Sequence, residues 1–480
     1  MSKPPADKAQ RVRDLIKVPP VALDLARRFV DADRSLYLVG GAVRDALLGR
    51  PVAELDFATD AKANEVVEIV RGWHEAQWLV GIEFGTVGVQ KNGVRLEITS
   101  FRSERYPEDS RHPQVMPVAT IEADLARRDF TINAMALKLP ERTFVDPHGG
   151  LEDLATKRLR TPLPPEESFS DDPLRMLRAA RFVAQLAAVP DSALVGAMHD
   201  QRDRLRIVSA ERVRDELVKI LAGPGASKGL DLAVRTELAE VFLPELPALR
   251  LEQDPVHHHK DVYLHTLAVV DKLIASDPDP AHPDVDLRLA GLLHDIGKPA
   301  TRRFDAGKVS FHHHEVVGAR MAERRLRELR FPSEAVENVS QLVEMHLRFH
   351  TFRMGWSDSA VRRYVRDAGP HLDRLNRLVR ADCTTRNRFK ARQLAAAIDE
   401  LEARIAELAA QEDLKRIRPP LDGNEVMQHL ALKPGPAVGR ALEYLLELRL
   451  DRGEIPKDEA YRLLDQWAAK QALTDRTDDA

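Results

Sequence analysis

LVGGAVRDALLGRPVAELDFATDA, residues 38–61, is the stretch whose reading decides the fold. An apolar run enters Gly40-Gly41 and continues as VRDALLG, which reads as a strand turning tightly into a helix. Two glycines there let the backbone approach a phosphate closely, at a helix start whose amides point outward. Glu54 and Asp56 flank Leu55 in what should be the next strand, so a period of two sends both acids to one face. Carboxylates so placed repel unless a cation sits between them, and Mg²⁺ favours such hard oxygen ligands. Two ions about 3.5–4 Å apart would activate an attacking hydroxyl and steady a leaving pyrophosphate. A third carboxylate is wanted from a neighbouring strand, and Glu97 in RLEITSFR is the candidate. By itself, a glycine pair with acid-x-acid also fits an ordinary turn and an exposed strand.

Working outward, LYLVG (36–40), GTVGVQ (85–90) and VRLEIT (94–99) read as short strands. AKANEVVEIVRGW between them has helical spacing of apolar positions. After about residue 150 strand signals nearly vanish. Amphipathic helices follow, such as DPLRMLRAARFVAQL and ERVRDELVKILAG. Breaks fall at TPLPPEE (161–167), at LPELPALRLEQDP, and at IRPPLDGNE (417–425) before a short helical tail. No internal repeat or low-complexity tract interrupts them.

The chain has 480 residues, too many for one ordinary core. Its 44 % hydrophobic and 31 % charged content suits a soluble, mostly helical protein. A net charge of −4 confines any nucleic-acid surface to a local patch. Cys383 is the only cysteine, so no intrachain disulfide forms and a reducing compartment is expected. The first twenty residues lack an apolar segment and read as a flexible polar tail. No run approaches the ~18 apolar residues a membrane span needs, so the expected location is the cytoplasm, with no membrane partner.

In RRDFTINAMAL, Arg127 and Arg128 precede Asn133 by about a turn and a half; arginine forks match phosphate oxygens, although a charged helix start reads the same way. DDPLRMLR places Asp172 and Arg175 three residues apart, on one helical face. Asp172 can accept from an exocyclic amine while Arg175 donates to a ring acceptor. Cytosine and adenine offer that pair, and guanine and uracil reverse it. The bland alternative is a surface ion pair.

GGAVRDALLG, ELDFAT, EITSFR, RRDFTINAMAL, DPHGG, DDPLRMLRAARF and ERVRDEL occur in this order. Together, over roughly residues 36–220, they resemble the class II tRNA nucleotidyltransferase family, which includes CCA-adding enzymes and bacterial poly(A) polymerases. The resemblance implies a polymerase-β-like head with two metals on an Asp-x-Asp pair. The first of those positions is Glu54 here, whose extra methylene moves the carboxylate by about 1.5 Å. It also implies nucleotide-site roles for Gly40, Gly41, Arg44, Arg127, Arg128 and Asn133, and base reading by Asp172 and Arg175. The family usually shows Glu-Asp where this chain has Asp171-Asp172. Glu211, Arg212 and Glu216 fit the last motif, with Arg212 orienting the base-reading pair; a solvated helix face is the alternative.

Histidines cluster further on. His265 in YLHTL, His294-Asp295 in LLHDIGKP, His314 in FHHHEVVGA, His346 in MHLR and Asp382 in ADCTTRN offer imidazole and carboxylate ligands that suit a divalent transition metal. Gly297 and Pro299 end the LLHD helix and fix its His-Asp pair. This order resembles the HD phosphohydrolase superfamily over about 257–385. The resemblance implies a metal set of His265, His294, Asp295 and Asp382, with His314 and His346 as second-metal candidates. His257, His258, His259, His312 and His313 read as solvated.

Residues 353–393 hold eleven Lys/Arg against four Asp/Glu, a patch suited either to tRNA phosphates or to an ordinary charged surface. Aromatic content is only 5 %, which argues for shape recognition over base stacking.

The expectation is therefore an α+β chain: a flexible tail (1–20), a nucleotidyltransferase head with a small mixed sheet (21–160), an all-α neck (161–250), an HD metal-binding domain (251–400) and a helical RNA-binding tail (401–480). The expected reaction adds C, C and A to tRNA from CTP and ATP without a template, with Mg²⁺ held by Glu54, Asp56 and Glu97. Alternatives are a poly(A) polymerase or partial A- or CC-adding enzyme, an HD phosphohydrolase with a weakened head, and a noncatalytic RNA-binding protein.

Overall fold

A computed structural model describes residues 15–52, 54–79, 82, 85–105, 114–251, 261–305, 308–349, 356–384, 388–414 and 417–474. The chain divides into two compact units, Met1–Pro247 with Glu328–Phe331, and Ala248–Arg327 with Pro332–Ala480.

The first unit is built on a mixed seven-stranded sheet. Its strands are β1 (Leu36–Val39), β2 (Leu55–Thr59), β3 (Ala76–Trp78), β4 (Thr86–Lys91), β5 (Val94–Ser100), β8 (Ala136–Leu139) and β9 (Thr143–Val145). The separate pair β6 (Arg102–Arg105) and β7 (Gln114–Pro117) falls between β5 and β8 in the chain. In space the order is β3-β4-β5-β2-β1-β8-β9, with only β2 and β5 parallel. The strands expected at 36–40, 85–90 and 94–99 form within a residue of those limits.

Alternation explains why the sheet has one dry face. Leu55, Phe57, Leu96 and Ile98 are buried against the helix Pro20–Asp31, through Leu25 and Phe29. The opposite face is covered only in part, by a small cluster that includes Val39, Ala58, Phe101, Leu125 and Ala136. Asp56 is half-buried on that face while Arg95 and Glu97 are exposed. Ile16 is fully buried in the head core, so the tail expected over 1–20 ends earlier than that. Its apolar side chain and the helix after it belong to the head.

The rest of this unit is helical. Pro165–Asp171, Leu174–Leu186, Ala210–Ala222 and Ala226–Arg235 lead it, and β10 (Arg158–Leu159) with β11 (Val189–Pro190) is a short parallel exception. Pro165–Asp171 begins inside the TPLPPEE segment, with proline at its first position.

The second unit packs Val262–Ala275, Val285–Leu293, His314–Glu328, Ser333–Met345 and Leu372–Asp382 around the histidine motifs. A small hairpin, β12 (Arg303–Asp305) and β13 (Lys308–Ser310), was not expected. The long helix Arg388–Gln411 and the helices Gly423–Leu430, Pro436–Arg452 and Lys457–Thr474 complete it. The break at IRPPLDGNE separates Gln411 from a helix capped by Asp422, whose side chain accepts from the amides of Asn424 and Glu425. Among the described residues no helix is long and apolar enough to cross a membrane.

Candidate functional site

Gly40 caps the helix Gly41–Leu47 with φ of +69°, a left-handed conformation that favours glycine. A Cβ there would stand 2.9 Å from an Arg128 guanidinium nitrogen. The glycine thus brings the end of β1 against the RRDF arginine.

Asp56 and Glu97 are direct partners in the parallel β2/β5 ladder, so their side chains share a face. The same register sets Glu54, one residue before β2, beside Arg95. Burial raises the Asp56 carboxyl above its ordinary range; Arg128 opposes that rise, and Glu97 and Glu54 add to it. A half-buried carboxylate crowded by like charges is the donor set a hard cation relieves. The three acids therefore gather beside Gly40 and Arg128.

RRDFTINAMAL does not begin a helix. Arg127 caps the end of Ile121–Ala126, and Asn133 closes a short 3₁₀ turn, Thr131–Asn133. Asp124, fully buried, accepts from Arg127 (2.9 Å) and Arg128 (3.1 Å), one on each oxygen. Asn133 receives an Arg44 proton at 2.7 Å and donates to Asp129 at 2.9 Å. Arg178 Nε reaches Asp129 at 2.8 Å. Burial works against the Asp129 charge, yet Arg178 and the Asn133 bond hold its carboxyl well below the usual range. Asp124, Asp129 and Arg178 were not singled out from sequence. The i−3 and i−4 spacing of Asp124 to the two arginines was the legible signal.

Asp172 and Arg175 do not share a helical face. Asp172 ends one helix with an extended backbone (φ −139°, ψ 99°), and Pro173 precedes the next. A residue before proline is driven from the α region, which splits the two residues between elements. Asp172 accepts from the Leu174 amide (3.1 Å) and from Arg212 (3.2 Å). Arg175 is buried, donating to Ser168 Oγ (2.8 Å) and to the Arg127 carbonyl. It therefore ties the neck to the RRDF loop. Glu216 is spent on Arg181 at 3.0 Å, and Glu211 is exposed.

The histidine site is closely built. His294, His314 and His346 each donate Nδ1–H to a backbone carbonyl three residues earlier, at 2.8, 2.7 and 2.6 Å. His265 Nδ1 hydrogen-bonds Thr384 Oγ1. In His294, His314 and His346 the Nδ1 bond leaves Nε2 free to turn into the site, the orientation a metal requires. Asp295 faces both halves: Oδ2 lies 3.2 Å from His294 Nε2, and Oδ1 lies 3.3 Å from His314 Nε2. Asp382 reaches His265 Nε2 at 2.9 Å.

Two ligand groups result, His265–His294–Asp382 and Asp295–His314–His346, each with donor atoms within 4.8 Å of one another. The Nε2 atoms of His314 and His346 are buried with no hydrogen-bond partner, and His265 and His294 turn Nε2 toward each other at 3.2 Å. Lone pairs so opposed fit a cation. Burial, with His294 nearby, pushes His346 down to about 3, so it is neutral as a ligand must be. Lys298 Nζ, 2.6 Å from Asp295 Oδ2, is a contact the sequence reading missed. Gly297 is needed here because a Cβ would meet the His314 carbonyl oxygen at 2.2 Å. His312 and His313 are exposed as expected. His257, His258 and His259 lie outside the described residues.

Several arginines among the described residues of 353–393 are engaged by acids. Arg362 pairs with Glu412, Arg363 with Glu447 and Asp451, Arg374 with Asp284, Arg377 with Asp277, and Arg380 with Asp399 and Glu402. Acids distant in sequence meet those arginines in space, which for them favours the ordinary charged surface.

Family models match in three places. A poly A polymerase head domain covers 36–160, a probable RNA and SrmB-binding site of polymerase A covers 190–249, and an HD domain covers 262–410. An A-adding tRNA nucleotidyltransferase of Deinococcus radiodurans is 35 % identical over 90 % of this chain and 95 % of its own length. The chain belongs to the tRNA nucleotidyltransferase family. It is a nucleotidyltransferase. A CC-adding tRNA nucleotidyltransferase of Thermus thermophilus is 34 % identical over 90 % of this chain and 94 % of its own. Among solved structures, the Bacillus stearothermophilus CCA-adding enzyme in complex with CTP aligns with a TM-score of 0.69 and 25 % identity, over 95 % of this chain and 100 % of that one. A polymerase head followed by helices and an HD domain is the architecture expected from the sequence.

Proposed function

We propose that this nucleotidyltransferase adds C, C and A to the 3′ end of tRNA from CTP and ATP, in the cytoplasm and without a nucleic-acid template. The observation that carries the reading is the meeting of Asp56 with Glu97, Glu54, Gly40 and Arg128 on the open face of the sheet. Glu54, Asp56 and Glu97 would hold Mg²⁺. Magnesium bound there supplies Lewis-acid activation of the RNA 3′ hydroxyl and neutralises charge on the departing pyrophosphate.

The chain's own groups do the rest. Arg128 and Arg127, braced by Asp124, present guanidinium forks to the triphosphate. Arg44, aimed by Asn133 and Asp45, closes the other side of that pocket. Asp172, steadied by Arg212, offers a carboxylate oxygen to the exocyclic amine that cytosine and adenine share. Arg175 would act as the second base-reading donor once its guanidinium turns from Ser168. In the second unit, the histidine–aspartate set would hold one or two divalent transition-metal ions. Those ions supply Lewis-acid chemistry for hydrolysis of a phosphate ester.

A second reading, addition of A only or of CC only, is favoured by the two relatives that match nearly the whole chain. Three tRNA substrates separate the readings, ending at the discriminator base, in C and in CC, each offered CTP, ATP or both. Full CCA on the shortest substrate with both nucleotides supports the proposal. Stopping at CC, or using only the CC-ended substrate, supports the partial reaction. Homopolymeric A on any RNA end supports a poly(A) polymerase.

A further inference from the structure

The sheet register places four residues in one row across the open face. Trp78 on β3 pairs with Gly88 on β4, Gly88 with Glu97 on β5, and Glu97 with Asp56 on β2. Directly paired residues project to the same side, and strands are spaced about 4.8 Å apart. Trp78 therefore stands roughly 10 Å from Glu97 along the row.

Gly88 is what makes the row a pocket. A Cβ built on it would lie 1.9 Å from the Trp78 indole nitrogen, so the ring lies flat across a backbone stripped of its side chain. The Arg95 guanidinium carbon stands 5.9 Å from the indole centroid. Glu54, Leu55, Trp78, Arg95 and Glu97 together line a cavity of about 290 Å³. Acids, an arginine and an aromatic ring thus share one half-open recess at the edge of the reaction centre. Gly40 and Arg128 lie on the other side of Asp56, next to β1.

We infer that this recess receives the 3′-terminal nucleotide of the RNA acceptor, with its base against Trp78 and its phosphate toward Arg95. The inference rests on the nucleotide-addition reading and assigns the two sides of Asp56, triphosphate toward Gly40 and growing end toward Trp78. The ring, laid over Gly88, forms one wall of the recess of about 290 Å³ whose other lining includes Glu54, Arg95 and Glu97. Stacking tolerates any base because every base has a π-face, and a growing end must present the discriminator base and then each C from one position. One platform at the terminus suffices where aromatic residues are otherwise sparse.

The test is equilibrium titration of the full chain with tRNA carrying 2-aminopurine as its last base, in the absence of nucleoside triphosphate. Wild type should quench the fluorescence. Trp78→Leu should lose most of the quench and bind the terminus about tenfold or more weakly, while Trp78→Phe recovers part of both. Arg95→Ala should weaken binding without abolishing the quench. In steady-state addition, Trp78→Leu should raise KM for tRNA while KM for CTP stays within about twofold, since aromatic stacking on the RNA is what it removes. An equal quench in wild type and Trp78→Leu, no quench in wild type, or a parallel rise in both KM values overturns the inference. Because binding is read without turnover, failure of wild type to extend tRNA would count against the proposed function, while the fluorescence titration alone decides whether the recess holds the terminus.

Discussion

Asp56 stands directly across from Glu97 in the parallel ladder, and the pair is crowded further by Glu54. Burial and these neighbours raise the Asp56 pKa, so its charged form costs stability as pH rises through that value. Asp56→Asn should therefore leave the melting temperature unchanged or higher at pH 8 without metal. The same substitution should lower nucleotide addition by roughly 10²–10³-fold. Mg²⁺ should raise the melting temperature of wild type more than that of the variant. Calorimetric scans with and without Mg²⁺, paired with addition rates, check both halves.

Asp129 has the opposite sign. Burial opposes its charge, but Arg178 and Asn133 hold its folded pKa well below the unfolded value. Its contribution is full above the unfolded pKa of about 3.9 and is lost as pH falls below that toward the folded value. Asp129→Asn should cost about 3 kcal/mol at pH 7, because the Arg178 charge loses its partner, and should flatten the acid limb of the stability curve. Urea melts between pH 7 and pH 3 measure the difference. The variant should also loosen Arg44 through Asn133 and raise KM for CTP.

The histidine site predicts a metal count. Asp295 faces both ligand groups, so Asp295→Ala should strip bound divalent metal from the second unit altogether. His346→Ala should remove only the ion of its own group. Elemental analysis of the purified protein after dialysis reads the stoichiometry of each variant against that of wild type. Gly297→Ala, which drives a methyl toward the His314 carbonyl, should lower the count without touching a ligand.

Glu412 is nearly buried between Arg362 and Arg449. Glu412→Gln leaves two buried guanidinium groups facing a neutral amide and should destabilise the second unit by about 3–5 kcal/mol. Limited proteolysis, mapping early cleavage to that unit, and a lowered urea midpoint check this. Head activity on tRNA at saturating substrate should fall far less than in Asp56→Asn.

Strand positions in the head were legible where apolar and polar residues alternate, as in β5 and at the start of β2: Leu55 and Phe57 in, Glu54 and Asp56 out. The acid face followed from that period alone, and the clustering of the histidine and aspartate side chains from their residue types and order. What was hidden depended on long-range pairing. Nothing local to Arg362, Arg374 or Arg380 tells that Glu412, Asp284 and Glu402 will meet them, so the run of arginines read equally as a phosphate-binding patch or an ordinary charged surface. Pro173 was visible in DDPLRMLR, and its effect on Asp172 was the signal that separates Asp172 from Arg175. Ile16, packed into the head core, belonged to a segment whose polar neighbours masked it.

The most direct test of the central claim is single-turnover extension of tRNA lacking its CCA end with α-labelled CTP, comparing wild type and Asp56→Ala under equal tRNA occupancy. Wild type should transfer label to the RNA 3′ end, and the variant should bind the tRNA as tightly yet transfer almost none. Label transfer by Asp56→Ala at the wild-type rate would contradict an active centre built on the acids of β2 and β5.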